Sequence, residues 1–334
     1  MGKFFINYAI VAVLGGLLAL NGHTDLGSLA SYLVFVRQAA LPINQFTQQS
    51  NFLLAALAGA ERVFKVMDME PEIDEGKTDL IRVKKENGVL VPCKEKTGLW
   101  AWQKNDGTLV ELKGDVRFDH VDFGYDDDRM ILKQISLYAK PGQKIAFVGS
   151  TGAGKSTIMN LLCRFYDVTE GEVLVDGIDV KNWDLHDLRD NIGMAMQDVF
   201  LFSDTIEGNI AYGKPDCTFE EVKEVAVMSD ANLFIKAMPD GYQTIVGERG
   251  VGLSGGQKQR ISLARALLKK PSILILDDTT SAVDMETESY IQEQLKKLGR
   301  KHTVFVIAYR ISSIKDADVI FVMDEGRIVE PGNH

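Results

Sequence analysis

The sequence predicts an α/β domain with a largely parallel, buried sheet, preceded by an all-α region at the N-terminus. Residues 145–148 are apolar and lead through a glycine-rich segment into a helical run at 157–163, which is the order of a strand–loop–helix unit. Residues 273–276 form a second short apolar run, typical of a strand that is buried on both faces. Most of the first 41 residues are apolar, which favours helices there.

Length and charge narrow the range of functions. A chain of 334 residues is long enough for more than one domain. It carries 47 Asp and Glu against 37 Lys and Arg, for a formal net charge of -10, and no basic stripe stands out, so we expect no nucleic-acid partner. The three cysteines, Cys93, Cys163 and Cys217, are far apart and odd in number, which is typical of reduced cytosolic thiols.

The N-terminal region, residues 1–67, reads as a transmembrane helical hairpin with a cytosolic extension. Apolar runs at 4–20 and 26–41 flank a short polar turn, and 44–66 is amphipathic. At about 1.5 Å per residue the first run barely crosses a bilayer core of about 30 Å. Lysine and arginine flank the pair but are absent from the turn, so both outer ends are predicted to be cytoplasmic in a cell-membrane protein. A cleaved signal peptide is the alternative, although no small-residue cleavage site follows Leu20.

Residues 68–113 are predicted to be a linker with an inserted β-hairpin. The first part, 69–79, is acidic and contains a proline and a glycine. Short alternating segments follow, split by Asn-Gly at 87–88 and Asp-Gly at 106–107, which favour tight hairpin turns. Trp100 and Trp102 are expected to pack this insertion rather than to bind a ligand. The α/β domain itself is predicted over 114–334.

A complete phosphate-binding loop opens the helical run of that domain. The pattern G-x-x-x-x-G-K-[ST] holds at 149–156, after a strand and before a helix. Backbone N–H groups and the helix N-terminus would cradle phosphates, Lys155 would pair with the β- and γ-phosphates, and Ser156 would ligate Mg²⁺. The candidate ATP- and Mg²⁺-binding residues of this loop are Gly149, Ser150, Thr151, Gly152, Ala153, Gly154, Lys155, Ser156 and Thr157.

A second anion site is predicted about a hundred residues later, at Leu253-Ser-Gly-Gly-Gln257. It precedes an amphipathic helical run at 258–268, so Ser254 and the amides of Gly255 and Gly256 lie at a helix start. With both motifs, the chain resembles the ATP-binding cassette (ABC) family, and over nearly its whole length it resembles an exporter half-transporter.

The resemblance implies a fold and a partner. The fold is an α/β P-loop cassette with a mixed sheet core, an antiparallel β subdomain and a helical subdomain at about 198–268. Cassettes of this family work in pairs, and the LSGGQ segment of one, here Ser254 to Gln257, clamps the γ-phosphate held by the other. A second half-transporter is therefore the implied partner, together with the lipid bilayer.

The resemblance also assigns roles to single residues. Tyr125 matches the aromatic residue that stacks on adenine. Gln197 matches the glutamine that reaches Mg²⁺ and senses the membrane domain, and Asp277 matches the aspartate that holds Mg²⁺ through water. Residues 247–250, which include Glu248, resemble an exporter-specific loop that touches the membrane helices, and 281–284 match the D-loop that crosses to the partner cassette.

Two positions depart from the family pattern, and both belong to hydrolysis. Asp278 stands where efficient members have glutamate, so its carboxylate lies one methylene further from the attacking water, and misplacement by about 1 Å can cost roughly 100-fold in rate. Tyr309 stands where histidine is usual, and a phenol with a pKa of about 10 cannot exchange protons near neutrality. We therefore expect Asp278, Tyr309 and Gln197 to form a slow catalytic site, in the degenerate half of a heterodimer.

Alternatives stay open at this level. A homodimeric exporter could use Asp278 as its base, a regulatory module could bind ATP without transport, and a soluble ABC ATPase of repair or translation is disfavoured by the N-terminal hairpin. The sequence does not separate lipid, peptide and drug export. Against the family pattern the chain reads as a fragment that lacks the first four membrane helices and a C-terminal helix.

Overall fold

The computed structural model describes residues 2–95, 97–126, 128–247, 250–298, 302–308 and 310–332. They belong to two compact units, Met1–Ile73 and Asp74–His334. The second unit therefore contains both the predicted insertion and the α/β domain.

The first unit is made of two helices, α1 (Gly2–Leu20) and α2 (Leu26–Met67). Asp25 caps α2, because its carboxylate accepts hydrogen bonds from the backbone N–H (2.9 Å) and the hydroxyl (2.6 Å) of Ser28. The amphipathic stretch at 44–66 continues the same helix past Pro42, so α2 is 42 residues and about 63 Å long.

Neither helix meets the requirements for a membrane span. In the part of the chain that the structure describes, no helix is both long enough and apolar enough to cross a bilayer. The two predicted helices are present, while their predicted membrane-spanning character is not confirmed.

A six-stranded sheet forms the centre of the second unit, with the strand order β10-β11-β12-β7-β13-β14. The first five strands are parallel, and β14 pairs antiparallel with β13 at the edge. All five residues of β11 are buried, as its apolar sequence predicted. The strands are β7 (Lys144–Gly149), β10 (Ile192–Ala195), β11 (Ile273–Asp277), β12 (Thr303–Ile307), β13 (Val319–Asp324) and β14 (Arg327–Gly332).

An antiparallel sheet with the order β6-β5-β8-β9 packs into the same hydrophobic core. Its strands are β5 (Val116–Phe123), β6 (Leu132–Ala139), β8 (Glu170–Val175) and β9 (Ile178–Asp179). The mixed core sheet and the separate antiparallel sheet are those expected from the sequence.

Helices cover the core sheet and form a separate cluster after β10. Four of them, α5 to α8, make up the helical part predicted for 198–268, and they share a hydrophobic core with one face of the core sheet. The helices of this unit are α3 (Lys155–Leu162), α4 (Leu185–Asp190), α5 (Ile206–Ala211), α6 (Phe219–Met228), α7 (Ala231–Ala237), α8 (Gly255–Leu268), α9 (Met285–Lys297) and α10 (Ile311–Ile314).

The predicted insertion contains more than a hairpin. It forms a four-stranded antiparallel sheet with the order β2-β1-β3-β4. The strand that the sequence did not predict is β1. Its charged residues do not show the alternation expected of a strand, although Val83 near its centre is fully buried. The strands are β1 (Asp79–Glu86), β2 (Val89–Pro92), β3 (Trp100–Gln103) and β4 (Leu109–Glu111).

Buried Trp102 and the carboxylate of Asp176 help to attach this small sheet to the cassette, together with Asp187 Oδ2, which accepts the backbone N–H of Leu80 (2.6 Å). Trp102 is fully buried in edge contact with Trp183, and its Nε1 donates to Asp176 Oδ2 (3.0 Å). The same carboxylate accepts from the backbone N–H groups of Lys113 (3.1 Å) and Asp115 (2.9 Å). Trp102 thus packs the insertion down, as predicted for both tryptophans, whereas Trp100 is only half-buried.

We predict that Asp176→Ala destabilises the protein by about 2–3 kcal/mol, because the Trp102 indole and the backbone N–H groups of Lys113 and Asp115 lose their shared acceptor. Asp176→Asn is the matched control, since it keeps one acceptor oxygen and tolerates the left-handed backbone at this position (φ 50°), so it should cost less. Urea denaturation of the full chain measures both. An alanine variant as stable as the unaltered protein would show that this carboxylate does not anchor the sheet.

Candidate functional site

The phosphate-binding loop joins β7 to α3 and has a backbone that only glycine accommodates at two positions. Gly149 and Gly154 have φ of 151° and 97°. A Cβ added to Gly149 would lie 2.1 Å from the carbonyl oxygen of Met323, and one on Gly154 would lie 2.5 Å from a methyl carbon of Leu132. Conformation and lack of space therefore both explain the glycines of the motif.

The first turn of α3 has no capping side chain. The N-cap of α3 is Gly154, which has no side chain that could accept hydrogen bonds from the N–H groups of the first turn. Lys155 is buried, and its Nζ donates to the carbonyl oxygens of Gly149 (2.9 Å) and Ser150 (2.8 Å). Burial lowers the pKa of Lys155, while Asp277 opposes that shift. This combination of N–H groups and a buried ammonium fits a polyphosphate.

Asp277 and Ser156 meet at the carboxyl edge of the sheet. Asp277 is the last residue of β11, and the Ser156 hydroxyl donates to its Oδ2 at 3.0 Å. A hydroxyl and a carboxylate are oxygen donors of the kind that Mg²⁺ prefers, so this pair fits that ion, which Ser156 would ligate and Asp277 would hold through water. Burial raises the pKa of Asp277, and the charge of Asp278 adds to the effect, against the hydrogen bond from Ser156 and the charge of Lys155.

Asp278 follows directly and is buried beside it. Its backbone is left-handed, with φ of 48°, and its N–H donates to the carbonyl oxygen of Ile307 at the end of β12 (2.8 Å). The other predicted hydrolysis residue, Tyr309, lies outside the described residues.

Tyr125 lies beside the phosphate-binding loop, and its role in stacking on adenine stays a prediction. Its hydroxyl is 3.2 Å from Thr157 Oγ1 and accepts a hydrogen bond from Asn160 Nδ2 (3.3 Å). Its ring makes edge contacts with Phe123 and Tyr166. The sequence reasoning missed Asn160, although its position three residues after Thr157 places it on the same face of α3.

Gln197 lies two residues beyond β10, which neighbours β11 in the sheet. Its side chain is exposed at the same edge of the sheet that carries Asp277. The structure thus places Gln197 near the end of a core strand, while its predicted Mg²⁺ contact stays a prediction.

The LSGGQ segment forms the start of α8, three residues earlier than the sequence predicted. Ser254 and Gln257 make a capping box, in which Ser254 Oγ accepts from Gln257 N–H (3.3 Å) and Gln257 Oε1 accepts from Ser254 N–H (2.9 Å). Gly256 packs so closely that a Cβ there would lie 2.7 Å from the carbonyl oxygen of Ala282 in the predicted D-loop. Glu248 of the predicted exporter loop lies outside the described residues.

Comparison with known proteins agrees with this geometry. Residues 132–281 match the family model described as "ABC transporter". This match spans the phosphate-binding loop, the LSGGQ helix and Asp277. The chain contains an ATP-binding cassette domain of the ABC transporter family. That domain is an ABC-type ATPase domain, for which ATP is the implied nucleotide.

Individual relatives extend the similarity to almost the whole chain. It is 42% identical over 326 residues to a putative multidrug export ATP-binding/permease protein of Bacillus subtilis, covering 97% of this chain and 52% of that protein. It is 40% identical over 329 residues to a fatty acid ABC transporter ATP-binding/permease protein of Mycobacterium bovis, covering 98% of this chain and 48% of that one. The chain therefore spans about half the length of the curated relatives it matches.

A solved structure with the same fold is a bacterial Atm1-family ABC exporter with ATP bound. The TM-score is 0.70 at 34% sequence identity, and the match covers 99% of this chain and 53% of the exporter chain. The ABC cassette fold expected from the sequence is thus confirmed.

We predict that Asp277→Asn raises the thermal midpoint of the nucleotide-free protein at pH 7. The raised pKa of Asp277 means that its ionised form destabilises the folded chain above that pKa, and asparagine can still accept the Ser156 hydrogen bond. The gain in thermal midpoint should shrink as the pH falls through the raised pKa of Asp277. It should vanish below about 3.9, which is the pKa of an aspartate in the unfolded chain.

Differential scanning fluorimetry across this pH range measures the effect. Mg²⁺ with ATP should then stabilise the unaltered protein more than the variant, because asparagine removes the negative charge that helps to hold the ion, while Lys155 and Ser156 remain. A variant that is less stable than the unaltered protein at pH 7 without ligand would contradict the account.

Proposed function

We propose that this chain is the ATP-binding part of an ABC exporter and couples ATP binding and hydrolysis to export across the cell membrane. The observation that carries the proposal is the hydrogen bond between Ser156 and the buried Asp277 beside the loop that holds Lys155, since this arrangement suits Mg²⁺ and a triphosphate. The relatives described above support export, because their names include ATP-binding/permease functions.

The two N-terminal helices are proposed to belong to the membrane domain of this exporter. Alignment to the relative from Bacillus subtilis includes 97% of the chain, so most of α1 and α2 falls within the similarity to a permease. Many apolar side chains along both helices are exposed, among them Leu17, Phe35 and Leu54. Exposed apolar surface of this kind suits lipid or further membrane helices.

The residues at the loop are proposed to divide the binding of Mg²⁺-ATP among them. Mg²⁺ would neutralise phosphate charge and be held by Ser156, Asp277 and Gln197. Lys155 and the first turn of α3 would bind the phosphates. Tyr125 would stack on adenine, with its hydroxyl held by Asn160 and Thr157.

Hydrolysis at this site is proposed to be slow, so that the chain works as the degenerate half of a heterodimer. Asp278 has a shorter side chain than the glutamate of efficient family members, and Tyr309 cannot replace histidine in proton exchange near neutrality. The capping box and the packing of α8 keep Ser254, Gly255 and Gly256 at a helix N-terminus, which could serve the partner's nucleotide. A homodimer that uses Asp278 as its base is the alternative.

Replacing Asp278 by glutamate tests this proposal. We expect Asp278→Glu to raise the rate of ATP turnover by the full chain by about 10- to 100-fold, because the carboxylate advances by one methylene. The dissociation constant for ATP should change by less than about twofold, since the residue acts on the attacking water.

Asp278→Asn is the matched control, and it should show no gain in turnover over the unaltered chain. If the unaltered chain turns over rapidly and Asp278→Asn abolishes that turnover, Asp278 is an effective base and the homodimeric alternative is correct.

A second prediction concerns adenine binding. Tyr125→Ala should weaken ATP binding by about 5- to 150-fold, the range that corresponds to about 1–3 kcal/mol for one stacked base. Tyr125→Phe keeps the ring and should retain most of the affinity. Fluorescence titration with a labelled ATP analogue measures both variants, and equal affinities for the alanine and unaltered proteins would exclude the stacking role.

A further inference from the structure

A buried glutamine on the signature helix α8 has its amide fully engaged by the segment that follows β11. Gln259 is almost completely buried. Its Nε2 donates to the carbonyl oxygen of Asp278 (3.2 Å) and to Ser281 Oγ (3.1 Å). Its Oε1 accepts the backbone N–H of Ala282 (3.1 Å). The Gln259 side chain therefore binds the loop 278–282 at three residues, Asp278, Ser281 and Ala282.

The residue that Gln259 holds has an unusual backbone. Asp278 is not a glycine, yet its φ is 48°, a left-handed conformation that costs a non-glycine residue some free energy. The carbonyl oxygen of Ile307 accepts the N–H of Asp278 (2.8 Å). The carbonyl oxygen of Asp278 accepts hydrogen bonds from Gln259 Nε2 (3.2 Å) and Ser281 Oγ (3.0 Å). The peptide groups on both sides of Asp278 are therefore held in place, and this sets the direction of the Asp278 side chain.

The other end of this contact lies at the anion site of α8. Gly256, three residues before Gln259 on the same helix face, packs against the carbonyl oxygen of Ala282 at a distance that excludes any side chain. Ser254 is the N-cap of α8. The start of α8 and the loop 278–282 are thus in contact through Gly256 and Gln259, so a shift of one element disturbs the other.

We propose that Gln259 is a positioning residue, which sets the direction of the Asp278 carboxylate and couples it to the position of α8. The proposal rests on the function proposed above, in which Asp278 acts at the nucleotide of this chain while α8 serves a second one. The single buried amide then transmits the state of one nucleotide site to the hydrolysis residue of the other. Its loss should reduce turnover without weakening the binding of ATP.

A double-mutant cycle on the full chain tests the proposal. Gln259→Leu removes the amide at similar volume, and it is combined with Asp278→Glu, which raises turnover. We expect the gain from Asp278→Glu, about 10- to 100-fold with Gln259 present, to fall below about threefold in the Gln259→Leu background, because the glutamate is no longer aimed. The dissociation constant for ATP should stay within about twofold in all four proteins.

Two further variants keep the test decisive. Ser281→Ala removes the second donor to the same carbonyl oxygen and should lower the gain in the same direction by a smaller factor, so it carries the test if Gln259→Leu does not fold. Asn191→Leu is the matched control, because it removes a half-buried amide that donates to the carbonyl oxygen of Asp187 (2.9 Å), before β10 begins. It should leave the gain unchanged.

An unchanged gain in the Gln259→Leu background, or an equal loss in the Asn191→Leu control, would overturn the positioning role. Weaker ATP binding in Gln259→Leu would also overturn it. Failure of the proposed function looks different, because the unaltered chain would then bind no ATP, or Asp278→Glu would give no gain even with Gln259 present.

Discussion

The cassette site depends on a buried carboxylate placed opposite a hydroxyl that comes from a distant part of the chain. Ser156 and Asp277 are 121 residues apart in sequence, yet their oxygens lie 3.0 Å apart. They meet because β7 and β11 are parallel strands of one sheet with β12 between them, so their carboxyl ends reach the same edge. Burial raises the pKa of Asp277, and this unfavourable charge is offset when a cation binds.

The surroundings of this pair are rigid where the chemistry requires it. Gly149 and Gly154 bring the loop against Met323 and Leu132 with no room for a side chain. Behind Asp277, the left-handed backbone of Asp278 is held by Ile307 and by Gln259. The same loop packs on the start of α8, so the nucleotide site and the LSGGQ segment are parts of one connected structure.

Most of the cassette could be predicted because its motifs combine residue type with strand and helix periodicity. The strand before Gly149, the buried strand ending at Asp277 and the helix after the LSGGQ segment all follow from local pattern. What the sequence did not reveal are contacts over long separations. Gln259 looks like an ordinary polar helix residue until α8 packs on the loop after β11, and β1 was hidden by its charged, solvent-facing positions.

The membrane assignment shows a different limit. Residues 4–20 and 26–41 are apolar enough to suggest a hairpin, and both runs are helical. Among the described residues, however, no helix satisfies the combined length and apolarity of a span. Hydropathy of a short run reports burial in apolar surroundings, which lipid and neighbouring helices both provide.

Calorimetric titration of the full chain with ATP, with and without Mg²⁺, tests the central claim most directly. We predict binding of one ATP per chain that strengthens with Mg²⁺ and is lost in Lys155→Ala, because the buried ammonium and the Ser156–Asp277 pair act together. Binding that Lys155→Ala leaves intact, or that Mg²⁺ does not affect, would contradict it.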